Sequence, residues 1–189
     1  MDKMPNPSAL PFPPGDDRPE EQYDMRIARD GTWFYHGSPI GRIALVKLFS
    51  SVLRRDDAGD YWLITPAERG RIAVDDVPFV AVEVKAEGGG GSRTLSFRTN
   101  LDEWVVAGPD HPIRVVRGAA GNPELSDAPT PYILIRDRLE ARIGRAVFYE
   151  LVELAEERQT PQGTELGVWS GQTFFSLGQL PGTEAAAAP

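Results

Sequence analysis

The sequence predicts an α+β protein built of two related halves, each an antiparallel sheet carrying one helix. Three observations point there. Runs of strand period recur, as in "PFVAVEVKAE" at residues 78–87, where Val80, Val82 and Val84 alternate with Ala81, Glu83 and Lys85. Two longer stretches carry helical spacing instead. Those two stretches begin with nearly the same line: "PIGRIALVKLF" at residues 39–49 returns as "RIGRAVFYELV" at residues 142–152. Ile40-Gly41-Arg42 matches Ile143-Gly144-Arg145, and Leu48 matches Leu151. Both lines lead through a polar turn to a strand holding a tryptophan, Trp62 or Trp169. An internal duplication accounts for this order.

Residues 1–22 are rich in Pro, Asp and Glu and too poor in apolar side chains to offset their ordering entropy, so a disordered acidic tail is expected. Asp30-Gly31 between two apolar runs predicts a hairpin, with strands at 24–28 and 32–36. Ser38 and Pro39 suit the cap and first position of a helix. Its apolar face reads Ile40, Ala44, Leu45, Leu48, Phe49, Val52 and Leu53. A strand at "YWLIT" follows. "TPAE" then forms a helical turn, with Thr65 as cap and Glu68 closing a capping box.

Strands are predicted at 71–74, 79–86, 93–99, 104–107 and 113–116, with Gly88–Gly91 as a hairpin tip. "GAAGNPELSDAPTP" is turn-rich and marks a linker at 118–131. "YILIRD" is a strand, and "RLEARI" carries the chain into a second helix at about 142–157. That helix buries Ile143, Val147, Phe148, Leu151, Val152 and Ala155. A last hairpin turns at Ser170-Gly171. The organisation is thus a tail (1–22), an N-terminal α+β domain (23–117), the linker (118–131), a C-terminal α+β repeat (132–180) and a second tail (181–189).

Composition narrows the class. Forty-one per cent hydrophobic and 25% charged residues fit a globular chain of 189 residues. The absence of cysteine removes disulfides, thiolate metal sites and cysteine nucleophiles together. "MDKMPNPSALPFPPG" holds no apolar run of signal-peptide length, and no later run reaches membrane-spanning length, so a cytoplasmic protein without a membrane partner is expected. The net charge of −8, half of it in residues 1–24, leaves no basic stripe for bulk nucleic acid. A single nucleotide in a local pocket is compatible with that charge.

"DGTWFYHGSPIGR", "GDYWLITPAERGRIAVDDVPFVAV", "FRTNLDEWVVAGPDHPIRV" and "LEARIGRAVFYELVELA" occur in this order. Together they resemble the bacterial family catalogued as domain of unknown function 1285, over residues 23–177. The resemblance implies a duplicated α+β core with a C-terminal half superficially like a pleckstrin-homology fold. It also implies a cleft between the halves for a nucleotide-like ligand, and a role in signalling.

The residues supply no catalytic constellation. Gly88–Gly91 lacks the Gly-Lys-Ser/Thr and following helix of a phosphate loop. Asp75-Asp76 are sequence neighbours whose side chains diverge on an extended backbone. Asp110-His111-Pro112 has the same defect as an acid–base pair. Two histidines without a nearby acidic motif make a weak case for a metal. Arg42 and Arg145 each stand in a first helical turn beside a glycine, where amide groups and a guanidinium fork suit an anion. The competing reading is an ion pair with Glu68 or Asp76, since the helix dipole disfavours a lone cation there. Trp33, Tyr35 and Tyr149 offer faces for a base, though aromatics in strands and helices are more often core.

The expectation is a non-enzymatic small-molecule-binding or signalling module with a small anionic, nucleotide-like ligand in the interdomain cleft. Trp33 serves as the apolar wall, and Arg42, Asn100, His111 and Arg114 as the polar contacts. No cofactor, metal or catalytic residue is assigned. Two alternatives stand beside it: an enzyme using His36 or His111 as general base, and an adaptor docking a protein partner through its C-terminal sheet.

Overall fold

The computed structural model describes residues 19–117 and 129–180. Most of both expected tails and residues 118–128 of the expected linker lie outside that range. The chain forms two compact units, Met1–Val80 with Ile135–Ala141, and Ala81–Leu134 with Arg142–Pro189. Among the described residues strands predominate, with two α-helices of nine residues, so the class is α+β.

The first unit begins with β1 (Glu20–Ile27), β2 (Trp33–Tyr35) and β3 (Ser38–Pro39). Helix α1 (Ile43–Ser51) follows, then β4 (Leu53–Arg55), β5 (Tyr61–Ile64) and β6 (Arg69–Val74). Their sheet runs β3-β2-β1-β6-β5-β4. β1 and β2 form the hairpin expected at Asp30-Gly31 (Gly31 φ +82°), and β1 pairs in parallel with β6. The parallel partner lies about 49 residues away, which explains why β1 starts at Glu20 although 20–22 read as tail: Glu20 sits opposite Arg69 and Gln22 opposite Arg71.

Ser38 and Pro39 do not start the helix. His36 and Gly37 (φ +47° and +73°) make a two-residue turn that folds them back as a strand, with Tyr35 opposite Ser38 and Phe34 opposite Pro39. α1 therefore starts five residues beyond Ser38, at Ile43, after Arg42 as a cap residue without a side-chain bond. Its buried face is also rotated from the expected one. Val46 and Ser50 are buried, while Leu48 is 60% and Leu45 36% exposed. Burying Ser50 costs little because its hydroxyl donates to the Lys47 carbonyl at 2.9 Å. Trp33 stacks on Phe49 at 6.3 Å. "TPAE" is a non-helical turn. Thr65 still fastens it, accepting from Glu68 N at 3.2 Å.

The second sheet runs β10-β11-β12-β7-β8-β9. Its members are β7 (Phe79–Glu87), β8 (Thr94–Thr99), β9 (Trp104–Val106), β10 (Ile113–Val116), β11 (Thr130–Arg136) and β12 (Leu139–Ile143). A single 3₁₀ turn, Gly90–Ser92, closes the β7–β8 hairpin at the glycine run. "LEARI" is strand β12, not the start of a helix. Asp137 and Arg138 both adopt positive φ (+42° and +65°), making a two-residue hairpin turn without glycine. The burial of β12 then alternates strictly, with Leu139, Ala141 and Ile143 inside.

Helix α2 (Arg145–Glu153) leads to β13 (Glu156–Thr160), β14 (Gly163–Ser170) and β15 (Thr173–Gln179), an antiparallel meander. Val147 and Leu151 form its buried line; Val152, expected inside, is 41% exposed. The helix stops short of residue 157 because Arg93, distant in sequence, donates to the Leu154 carbonyl at 2.8 Å and pairs with Glu156 at 3.4 Å. Within the second unit, Ser170 joins this meander to β8 and to Ala107, the residue after β9. Its hydroxyl accepts from Leu95 N at 2.9 Å and donates to the Ala107 carbonyl at 2.7 Å.

Candidate functional site

A concavity of about 520 Å³ opens at the start of α2, wholly within the second unit. Thr130 and Pro131 come from β11, Arg142 and Ile143 from the end of β12, and Phe148 and Tyr149 from α2. Gly144 is the cap residue; its N–H donates to the Ala81 carbonyl at 2.9 Å, and it has no side chain with which to cap the helix. The first turn of α2 holds no acidic residue. Its leading amides are therefore unanswered by any cap, and they carry the positive end of the helix dipole.

Arg145 Nε donates to the Tyr149 hydroxyl at 2.9 Å, with the guanidinium 5.6 Å from the ring centroid. That bond fixes the guanidinium and leaves its two terminal nitrogens for a bidentate acceptor. No carboxylate lines the concavity. The arrangement is electropositive, with Phe148, Tyr149 and Pro131 supplying apolar surface.

The five residues expected to contact a ligand are distributed over both units, and none lines this concavity. Trp33 is 2% exposed in the core of the first unit, with its indole N–H unbonded among the described residues. Arg42 is exposed at the cap of α1. Asn100 is half-buried in the β8–β9 turn. His111 faces the Leu134 carbonyl through Nδ1 at 3.0 Å, and Arg114 lies over Tyr132 at 4.4 Å, so these two share the β10–β11 edge. His36 has an acidic partner that the sequence did not announce. Its Nδ1 is 2.9 Å from Asp24 Oδ2, but both side chains are largely solvent-exposed at a hairpin turn.

The ion pairs offered as alternatives for the helix-start arginines do not form. Asp76 faces Arg29 at 3.8 Å, and Glu68 bonds the Tyr23 hydroxyl. Arg145 and Tyr149 were legible as candidates from the sequence. Arg142 was not, because a helical reading of "RLEARI" hides that it ends a strand at the concavity. The only available signal was the in–out alternation of Leu139, Ala141 and Ile143.

No helix among the described residues is long and apolar enough to cross a membrane. The fold and concavity define a two-unit α+β chain with a basic hollow at a helix start. The chain belongs to the DUF1285 family. Residues 16–77 match its "Domain of unknown function (DUF1285), N-terminal domain", and residues 78–177 its "Protein of unknown function (DUF1285), C-terminal domain". A solved DUF1285 family protein from Silicibacter pomeroyi DSS-3 is 44% identical, with a TM-score of 0.76 over 87% of this chain and 85% of that one. Another, from Shewanella baltica OS155, is 25% identical, with a TM-score of 0.52 over 69% of this chain and 91% of that one. No curated protein matches the chain.

Proposed function

We propose that the protein is a non-enzymatic cytoplasmic binding or signalling module whose second unit receives a small anionic ligand of nucleotide-like kind. The carrying observation is the convergence of Arg142, Arg145 and the uncapped start of α2 on one hollow free of carboxylates. A phosphate or carboxylate there meets oriented N–H donors and a guanidinium fork, and Tyr149 and Phe148 offer faces for a planar group. Duplication belongs to the same reading. Along the chain, a strand pair twice precedes a nine-residue helix and a three-strand meander, with Trp62 and Trp169 on the middle strands. The likeness of the C-terminal half to a pleckstrin-homology fold rests on its antiparallel sheets alone.

The test is a thermal-shift titration with inorganic pyrophosphate and a nucleotide panel at low salt. A saturable rise in Tm is expected with at least one of them, weakening with added salt and lost in Arg145→Ala. Flat curves at millimolar concentrations, or a shift that Arg145→Ala leaves intact, overturn the reading. The Asp24–His36 contact favours a second reading, an enzyme with His36 as general base. That reading predicts a turnover abolished by His36→Gln.

A further inference from the structure

The first unit carries a groove of about 600 Å³ along α1. Met25 and Leu63 form its buried floor, Phe49 and Val52 are half-buried, and Tyr35 (51% exposed) and Leu45 stand along it. These side chains make one contiguous apolar surface.

Three polar lining residues, Tyr23, Thr65 and Glu68, cluster. The Tyr23 hydroxyl donates to the Glu68 carboxylate. Thr65 fixes the Glu68 main chain through three bonds: Thr65 N to Glu68 O at 3.0 Å, Thr65 Oγ1 to the same carbonyl at 3.1 Å, and Glu68 N to Thr65 Oγ1 at 3.2 Å. Tyr23 reaches Glu68 because its ring lies across Gly70 of β6, where a Cβ would come within 2.2 Å of the ring. No Lys, Arg or His lines the groove, and among the described residues none pairs with Glu68. Glu21 adds a second negative charge near the phenol. Burial first, then Glu68 and Glu21, push the Tyr23 pKa above its ordinary value, so the phenol stays a proton donor.

We propose that this groove binds an amphiphilic amine, its apolar body on Met25, Leu63 and Phe49 and its ammonium on the Glu68 carboxylate beside Tyr23. Charge complementarity selects the head group. A carboxylate or phosphate would meet Glu68 and Glu21 with like charge. An uncharged head would cover the Glu68 carboxylate without returning the solvation it loses, and an ammonium returns it as a charge-assisted hydrogen bond. This site lies in a different unit from the anionic hollow and requires the opposite ligand charge, so either can fail alone.

The experiment is NMR titration of the full chain with n-octylammonium, n-butylammonium and n-octanoate below micelle-forming concentrations. n-Octylammonium is expected to saturate and to shift Tyr35 and Leu45 resonances. n-Butylammonium should bind at least tenfold more weakly and n-octanoate not at all. Glu68→Gln, which keeps the main-chain bonds to Thr65, should lower n-octylammonium affinity at least fivefold. Leu45→Ser should also weaken it, with the fold preserved by the exposure of that side chain. Binding of n-octanoate as tight as that of n-octylammonium, an unchanged Glu68→Gln affinity, or no saturation overturns the proposal.

Discussion

Replacing Ser170 with alanine removes one oxygen atom and strands two main-chain groups. Leu95 N–H donates to that oxygen and the Ala107 carbonyl accepts from it, and Leu95, Ala107 and Ser170 are all 0% exposed. Water cannot stand in for the hydroxyl. An unsatisfied buried polar group costs about 1–3 kcal/mol, and the lost hydroxyl returns part of its own desolvation, so Ser170→Ala should cost about 2–4 kcal/mol. Urea unfolding followed by tryptophan fluorescence reads this loss, with the neighbouring Trp169 as reporter. Amide exchange reads it locally, since Leu95 N–H should lose protection ahead of its strand. Ser176→Ala, at an exposed site on β15, is the control and should stay within about 0.5 kcal/mol of the parent. An unfolding midpoint unchanged by Ser170→Ala at constant slope, or a Leu95 amide as protected as before, would refute the reasoning.

Three further outcomes are expected. Arg26 grips Asp75 through two bonds, at 2.7 and 2.5 Å, and that contact holds the Asp75 pKa below the usual carboxylate range. A carboxyl with a folded pKa below its unfolded one contributes fully above the unfolded value, near pH 4, and loses that contribution as pH falls through the folded value. The urea midpoint of the parent should thus fall more steeply below pH 4 than that of Asp75→Asn, the two converging as pH falls through the folded Asp75 value; parallel curves would contradict this. At Gly167, on the β14 bulge, a Cβ would stand 2.4 Å from the Phe175 carbonyl oxygen, so Gly167→Ala should cost more than about 2 kcal/mol in the same urea assay. Gly89→Ala, with nothing within 4 Å of the added methyl, should be neutral or slightly stabilising.

Strands with local partners and glycine-marked turns were legible in the sequence: the Asp30-Gly31 hairpin, the glycine tip between β7 and β8, and the β14–β15 hairpin all stand where expected. What escaped was set by groups distant in sequence or by turns without a glycine signal. Asp137-Arg138 turns sharply with two side chains at positive φ, so "LEARI" read as helix. Ser38-Pro39 has the chemistry of a helix start, but main-chain pairing with β2 outweighs a cap. The rotation of α1 was hidden for another reason. Its nine residues include apolar side chains nearly all round, leaving the period without a unique phase. At the anionic hollow, Arg145 and Tyr149 were visible as a helix-start pair, whereas Arg142 depended on recognising β12 as a strand.

The return of residues 135–141 to the first unit has a consequence for synthesis and for dissection. Ile135, Leu139 and Ala141 are at most 1% exposed there, and Arg136 donates to the Ser50 carbonyl at 2.8 Å. A ribosome must therefore release more than half the chain before the amino-terminal body can finish closing. A gene cut at the family junction after residue 77 would yield a fragment lacking Phe79 (0% exposed) as well as these three buried side chains, prone to associate through the bare surface left behind.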